Sequence, residues 1–167
     1  MPTLDDAAFA GCYRRVFPMV LAKCRRMLRG HDDASDVAQE AFVRLWKHRE
    51  LVEDSHAVTA WLYRTTTHLV IDRARHRAFS QDNLAHLHQA LDGGEGVETE
   101  ARFISRERLR GLLAHCPEAE LEAAILSRVD RLTQPEVAEV MGVGERTVRR
   151  LLGRFDERTA VLEETAR

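Results

Sequence analysis

The stretch from Thr133 to Phe155, TQPEVAEVMGVGERTVRRLLGRF, has the spacing of two short helices that meet at a steep angle. Ala138 is a small residue where two helices must approach closely, and Gly142 stands four residues later, where the chain has to turn. Val148 follows six residues further on and can hold the second helix against the first. This pattern predicts a helix-turn-helix.

The second of these predicted helices has one apolar side and one basic side. Hydrophobic residues fall at i, i+3, i+4 and i+7, the spacing of a single helical stripe: Val148, Leu151, Leu152 and Phe155. The faces left open carry Arg146, Arg149, Arg150 and Arg154. Such a helix suits the major groove of DNA, although an ordinary helical hairpin with a solvated arginine face would have the same pattern.

The chain as a whole is not basic. Its 167 residues are 31% charged and 44% hydrophobic, which is typical of a globular protein, and the formal net charge is -2. Any affinity for nucleic acid must therefore come from local basic patches. We find no basic-then-apolar leader and no apolar run near the roughly 20 residues that span a bilayer. We therefore expect a cytoplasmic protein without membrane insertion.

The cysteines do not indicate a metal site or a disulfide framework. Cys12, Cys24 and Cys116 have no CxxC pairing and lie in segments with a helical core pattern, so we expect reduced, buried thiols. His86-x-His88 and the neighbouring His115 and Cys116 lack further ligands at the spacing of a tetrahedral zinc site. We expect no metal and no cofactor.

The N-terminal half predicts a helical bundle. Helical periodicity runs from Asp5 to Leu28, with Pro18 as an irregularity, then from the aspartates Asp32 and Asp33 to about His48, and from about Ala57 to Arg77. Gly30 separates the first two helices, and Asp32 and Asp33 offer side-chain oxygens to cap the second.

The middle of the chain differs in composition from both halves. Residues 81–100 contain three glycines and five acids but few large apolar residues, which indicates a linker with one or two helical turns in it. Helical periodicity resumes near Ala101 and breaks at Pro117. The fold class is therefore all-α, with an N-terminal domain over 1–79, a flexible linker over 80–101 and a helix-turn-helix domain over 102–167.

Two motifs in the N-terminal half carry a family resemblance. The first is Asp33–Trp46, DASDVAQEAFVRLW, and the second is Ala60–Arg64, AWLYR, followed by Leu69–Arg73, LVIDR. With the helix-turn-helix in the C-terminal half, the chain resembles the extracytoplasmic-function sigma factors. These small two-domain proteins give bacterial RNA polymerase its promoter specificity.

The resemblance implies three binding surfaces and no catalytic activity. The polymerase-binding helix carries Asp36, Gln39, Glu40, Arg44 and Trp46. The surface for the −10 element carries Trp61, Tyr63, Arg64, His68, Arg73, Arg75 and Arg77, with the loop Glu50–His56 receiving a flipped base. The surface for the −35 element carries Arg146, Thr147, Arg149, Arg150 and Arg154.

The implied partners are core RNA polymerase, promoter DNA and an anti-sigma factor that masks the same surfaces. The chain departs from the family at Thr65-Thr66-Thr67-His68, a β-branched run of low helix propensity where the family has Ile-Ala-x-Asn. Cys116 replaces the leucine usual before Pro117.

Two other functions remain open from the residues alone. A stand-alone helix-turn-helix repressor would bind a duplex operator without polymerase. A metal phosphohydrolase of the HD type would use His31 and Asp32, but it needs a histidine ligand further upstream, and His31 is the first histidine of the chain.

Overall fold

The structure is a computed structural model that describes residues 5–49, 55–76, 80–92 and 109–165. Across these ranges the chain forms helices and no β-strand, which confirms the predicted all-α fold class. The elements are, in chain order, α1 (Asp6–Met27), α2 (His31–Lys47), α3 (Ser55–Arg75), α4 (Gln81–Asp92), α5 (109–115), α6 (Glu118–Ala124) with a π-helical turn (Ile125–Val129), α7 (Gln134–Met141) and α8 (Glu145–Thr165).

Helices α1, α2 and α3 pack against one another as the N-terminal bundle. Val20, Val37 and Leu62 are fully buried between them, at positions that the helical periodicity predicts. Pro18 lies inside α1 without ending it. The β-branched run is helical, and the buried hydroxyl of Thr66 is satisfied because it donates to the carbonyl of Leu62, one turn earlier, at 2.8 Å.

The expectation that Asp32 or Asp33 caps α2 was wrong. Gly30 occupies the N-cap position, and no side chain accepts a hydrogen bond there. Both aspartates lie in the first turn, where their charge complements the positive end of the helix. Asp33 instead accepts a hydrogen bond of 2.6 Å from the side-chain amide of Asn83 in α4.

Helix α4 is longer than the one or two turns expected in this part of the chain. It has 12 residues and buries Leu84, Leu87 and Leu91, which share one face of the helix. Asn83 ties it to the bundle, because its side-chain oxygen also accepts the backbone N–H of Arg29 at 2.8 Å. The glycines of the predicted linker lie outside the described residues.

Helices α7 and α8 have the predicted helix-turn-helix geometry. Thr133 and Glu136 form a capping box at the start of α7, in which the backbone N–H of Thr133 donates to the Glu136 carboxylate at 2.7 Å. Gly142 then turns the chain in the left-handed region, at φ 68°. Val148 is fully buried and fixes α8 against α7.

The N-terminal bundle and the C-terminal helices are packed together. One hydrophobic cluster includes residues of α1 to α4 together with Leu113, Leu121, Ile125 and Phe155 from the C-terminal half. Helix α3 packs on α6 and α7, and α4 packs on both α1 and the π-helical turn. The predicted organisation, two domains joined by a flexible linker, does not imply this contact.

Candidate nucleic-acid interface

The N-terminal end of α8 presents a basic surface to solvent. Arg146, Arg149 and Arg150 are exposed and line one groove together with Thr147. Arg154 is also exposed but lines a different groove, between α8 and α5. Four of the five predicted −35 residues therefore line one groove, and the fifth, Arg154, lies one turn after Arg150 and lines another.

Packing beneath this surface fixes the direction in which it faces. Val148 and Phe155 are buried on the opposite side of α8. Arg128 of the π-helical turn lies over the Phe155 ring, with its guanidinium carbon 5.1 Å from the ring centroid, and pairs with Asp156. A helix held this way can present several guanidinium groups to one ligand without rearrangement of its backbone.

The outer face of α2 carries the residues predicted to bind polymerase. Asp36 and Gln39 are exposed, and Glu40 forms an ion pair with Arg44 one turn later at 3.0 Å. Val43 lies on the same side of the helix with 47% of its surface exposed. The result is a mixed acidic and apolar surface that can meet a basic partner helix.

Trp46, the fifth residue predicted for this surface, belongs to the packing between α1 and α2. Its ring meets Phe9 edge-on, with centroids 4.8 Å apart. The guanidinium of Arg49 lies 3.9 Å from the centroid of the same ring. Trp46 thus packs beneath the outer face of α2 and holds α2 against α1.

The aromatic residues of α3 are in contact with other parts of the chain. Trp61 is half-buried against the core shared by both halves. Tyr63 packs against the hydrophobic cluster of the helix-turn-helix, and the Lys23 ammonium lies 5.1 Å from its ring centroid. Tyr63 therefore lies between the two halves in this structure.

Basic residues of α3 pair with two glutamates of α6. Arg64 Nε lies 2.9 Å from one oxygen of Glu122, and His68 Nε2 lies 3.0 Å from the other. His68 Nδ1 is 3.4 Å and Arg75 is 3.3 Å from Glu118. The Arg75 guanidinium also donates to the Leu113 and Cys116 carbonyls, each at 3.0 Å. We call these contacts the α3–α6 charge cluster.

Electrostatics within this cluster favours the charged form of the histidine. The neighbouring Glu122 carboxylate raises the pKa of His68 above its ordinary value of 6.5, while partial burial works in the opposite direction. Glu122 itself is 2% exposed, so its charge depends on Arg64 and His68 for compensation.

A second set of charges joins α1 to the end of the π-helical turn. Lys23 and Asp130 form an ion pair in which both side chains are fully buried, and Arg26 reaches the other oxygen of Asp130 at 2.9 Å. Burial lowers the pKa of Lys23, and the Asp130 carboxylate counteracts this. The residue after Asp130, Arg131, has a left-handed backbone, at φ 58°.

The remaining residues of the predicted −10 surface are Arg73, Arg77 and the loop Glu50–His56. Arg73 is half-buried near the end of α3. Arg77 and residues 50–54 of the predicted base-receiving loop lie outside the described residues, as does the His56 side chain.

Sequence reasoning missed the acidic partners Glu118, Glu122 and Asp130 and the buried Lys23. The one signal for them was the i, i+4 spacing of Glu118 and Glu122, which indicates a common helix face. The sequence does not show which residues this face contacts, because its partners lie far away in the chain.

The three cysteines are buried and unpaired, as expected. Burial raises the pKa of Cys24 and of Cys116 to about 12, so both thiols stay protonated at neutral pH. Among the described residues no group of three or more histidines, cysteines and acids is placed to hold a metal ion. Within the same ranges no helix is long and apolar enough to cross a membrane.

Comparison with known proteins identifies two family models in the chain and several relatives. The model of Sigma-70 region 2 matches residues 12–79, and that of Sigma-70 region 4 matches residues 106–154. The chain is 26% identical to the ECF RNA polymerase sigma factor SigW of Bacillus subtilis over 165 residues, 92% of this chain and 87% of that protein. It is 27% identical to the RNA polymerase sigma factor CnrH of Cupriavidus metallidurans over 141 residues, 78% of this chain and 73% of that protein.

Proposed function

Because this chain belongs to the extracytoplasmic-function group of RNA polymerase sigma factors, which direct promoter recognition and transcription initiation, we propose that α2, α3 and α8 divide that work among them. Its partners are core RNA polymerase and promoter DNA. The proposal assigns one task to each helix and follows the domain limits 1–79, 80–101 and 102–167.

In this proposal α2 holds core polymerase. The exposed Asp36 and Gln39, with the Glu40–Arg44 pair beside them, form a surface whose charge would set the register and the association rate on a basic helix of the partner. Trp46 contributes by supporting α2 against α1.

Helix α8 reads the −35 element. The observation that carries this assignment is the exposed groove formed by Arg146, Thr147, Arg149 and Arg150 on a helix whose other side is fully packed. Bidentate contacts from arginine to guanine in the major groove are the commonest specific contacts of such helices. Arg154, in its separate groove, is placed to contact a phosphate.

Helix α3 holds the −10 element, once it is free of α6 and α7. Trp61 and Tyr63 would stack on or support unpaired bases, His68 would lie beside them, and the basic residues would contact the strand's phosphates: Arg64, Arg73, Arg75 and Arg77.

The regulation and location of the protein complete the proposal. An anti-sigma factor would hold the chain inactive by covering these same surfaces, and the chain would act in the cytoplasm beside the polymerase. Sigma factors in general are not enzymes, and we propose that this one too has no catalytic activity.

A charge reversal on α2 tests the proposal. Asp36→Lys with Glu40→Lys should abolish binding to core polymerase and the discrete transcript that wild-type chain and core produce together. The free energy of unfolding should change little, because both residues lie on the surface. The matched control is Glu157→Lys, the same reversal on an exposed position of α8. Unchanged core affinity of the double variant would refute the assignment of α2.

A further inference from the structure

Helix α1 and its C-terminal end carry a set of arginines that none of the three proposed surfaces includes. Between Ala7 and His31 the chain has six lysines and arginines and no acidic residue. The five arginines among them are exposed, whereas Lys23 is buried. Since the whole chain has a formal net charge of -2, the residues outside this segment carry a net charge of -8. The segment is therefore a strongly basic part of an otherwise acidic protein.

Four of these arginines lie on one side of α1. Arg14 and Arg15 precede Arg25 and Arg26 by 11 residues, which is close to three full turns of a helix with 3.6 residues per turn. Both pairs therefore face the same way, about 16 Å apart at a rise of 1.5 Å per residue. We call these four residues the α1 arginine face.

The surface between the two arginine pairs is accessible and free of long side chains. Pro18 and Ala22 lie there, and both are exposed. Arg26 contacts Asp130 at 2.9 Å, but 40% of its side chain remains exposed. An elongated ligand can thus approach both pairs of the α1 arginine face at once.

The composition of this face indicates a phosphate ligand. All its cations are arginines, whose planar guanidinium groups can donate two hydrogen bonds at a time to phosphate oxygens. Protein interfaces usually have a central apolar or aromatic anchor, and Pro18 and Ala22 do not supply one. A nucleic-acid strand carries one phosphate charge per 3.4 Å of helix axis, so it can meet both arginine pairs without such an anchor.

The α1 arginine face is adjacent to the surface of α3 that we assign to the −10 element. Met19, one turn after Arg15, is 49% exposed and lines a groove with Thr59 and Tyr63 of α3 and with residues of α7. Met19 thus connects the two surfaces. A nucleic acid held on α3 can extend from Tyr63 over Met19 to the arginines.

From these observations we infer that the α1 arginine face binds the phosphate backbone of promoter DNA beside the −10 element. These contacts add affinity without reading bases, because phosphates carry no direct sequence information. The inference deepens the proposed function, and it rests on the proposed role of α3 for the place of the DNA.

The first test is the affinity of the polymerase holoenzyme for promoter duplexes over a range of salt concentrations, with Arg14→Gln and Arg15→Gln combined in the full chain. The slope of log affinity against log salt should become shallower by about 0.9 for each lost phosphate contact, and thus by about 1.8 for two. Affinity should fall on the order of 10-fold, to the same extent at every promoter. The matched control, Arg14→Lys with Arg15→Lys, keeps both charges and should keep most of the slope.

The affinity for core polymerase without DNA distinguishes a phosphate ligand from an acidic protein surface. It should be unchanged in the double glutamine variant, and so should the free energy of unfolding, because both arginines are exposed. An unchanged salt slope at the promoter would overturn the inference. Loss of core affinity would overturn it too, since the face would then bind the polymerase.

The second test locates the ligand. Ala22→Cys places a thiol between the two arginine pairs, and an iron chelate that generates hydroxyl radicals is attached to it. The three native cysteines are buried, so the wild-type chain treated in the same way is the control. In the complex of holoenzyme and promoter, the DNA backbone beside the −10 element should be cut. Cuts only in polymerase subunits, cuts only in distant DNA, or the pattern of the treated wild type would overturn the inference.

The role of α3 is tested separately with Arg64→Ala in the same complex. Undiminished promoter opening by this variant would refute the proposed function of α3. The salt slope of the double glutamine variant would still show whether α1 binds phosphates, so the two failures are distinguishable.

Discussion

The arginines of α8 should make two kinds of DNA contact, to bases or to phosphates, depending on their position on the helix. Arg149 and Arg150 share a groove with Thr147, whereas Arg154 lies in another. Arg149→Ala or Arg150→Ala should relax specificity at individual −35 base pairs, with a loss of roughly 1–3 kcal/mol of discrimination per bidentate contact. Arg154→Ala should weaken all promoters alike.

The measurement for these three variants is the affinity of the polymerase holoenzyme for a set of promoters with single substitutions in the −35 element. Equal losses of affinity at every promoter from all three variants would refute base reading by Arg149 and Arg150 and would show that α8 carries only a general basic patch.

His68 should make the packing of α3 on α6, and with it the closed arrangement of the two halves, dependent on pH. Its pKa is raised by Glu122, and the charges that face it are Glu118 and Glu122 from α6 and Arg64 from α3. The charged form is thus favoured when the chain is closed. This contribution is fully present below the ordinary pKa of 6.5 and is lost as pH rises through the raised pKa.

The radius of gyration of the free chain should therefore increase as the pH is raised from about 6 to about 8, a range in which histidine titrates and carboxylates do not. His68→Gln should remove this dependence, whereas His115→Gln, at an exposed position on α5, should retain it. A profile that is the same in wild type and His68→Gln would exclude His68 as its source.

Residue types and their places on helices could be predicted from the sequence, but their partners could not. The spacing around Val148 placed the arginines of α8 correctly on the open faces, because helical periodicity is a local property. Arg64 and Tyr63 were equally visible in the sequence. Their neighbours, Glu122 and the hydrophobic cluster of the helix-turn-helix, come from a different part of the chain, and no local pattern connects them.

At the scale of single elements, the turn of the helix-turn-helix depends on the backbone of one glycine. Gly142 has φ 68°, whereas Gly153 lies within α8. A Cβ added at either position would have no atom within 4 Å, so substitution by alanine isolates the backbone effect. Gly142→Ala should lower the free energy of unfolding by about 1 kcal/mol or more. Gly153→Ala should raise it by up to about 1 kcal/mol.

Chemical denaturation of the two variants beside the wild type measures both effects. Shifts of the same sign at the two positions would contradict the left-handed turn at Gly142.

The bounds of a helix could be predicted where apolar periodicity and turn residues agree. They were harder to predict where glycine dominates the composition. Gly142 ends α7 where the sequence predicts the turn, and in the structure Thr133 and Pro135 mark its beginning. Helix α4 was underestimated because the glycines that follow it reduced the apparent helical content of the whole segment. Its three leucines and Asn83 find partners on α1 and α2 that the segment alone does not reveal.

At the scale of the whole molecule, a small net charge is combined with close packing between the N-terminal and C-terminal halves. With a formal net charge of -2, the chain can neutralise few phosphates, and the α3 cations Arg64 and Arg75, which we propose for the −10 element, are paired with glutamates of α6. The two-domain organisation follows from the sequence. The contact between the domains does not, since it depends on complementary charges and apolar surfaces from separate parts of the chain.

The most direct test of the account is the affinity of a fluorescent promoter duplex, carrying both elements, for the free chain and for the chain bound to core polymerase. The duplex is taken upstream of a transcript that overexpression of the chain induces. Fluorescence anisotropy is recorded over a range of salt concentrations. We predict that the free chain binds weakly, with little sequence preference and a shallow salt slope at about −0.9 per phosphate contacted, and that the core-bound chain binds tightly and specifically. Tight, sequence-specific binding by the free chain alone would contradict the account and indicate an autonomous repressor.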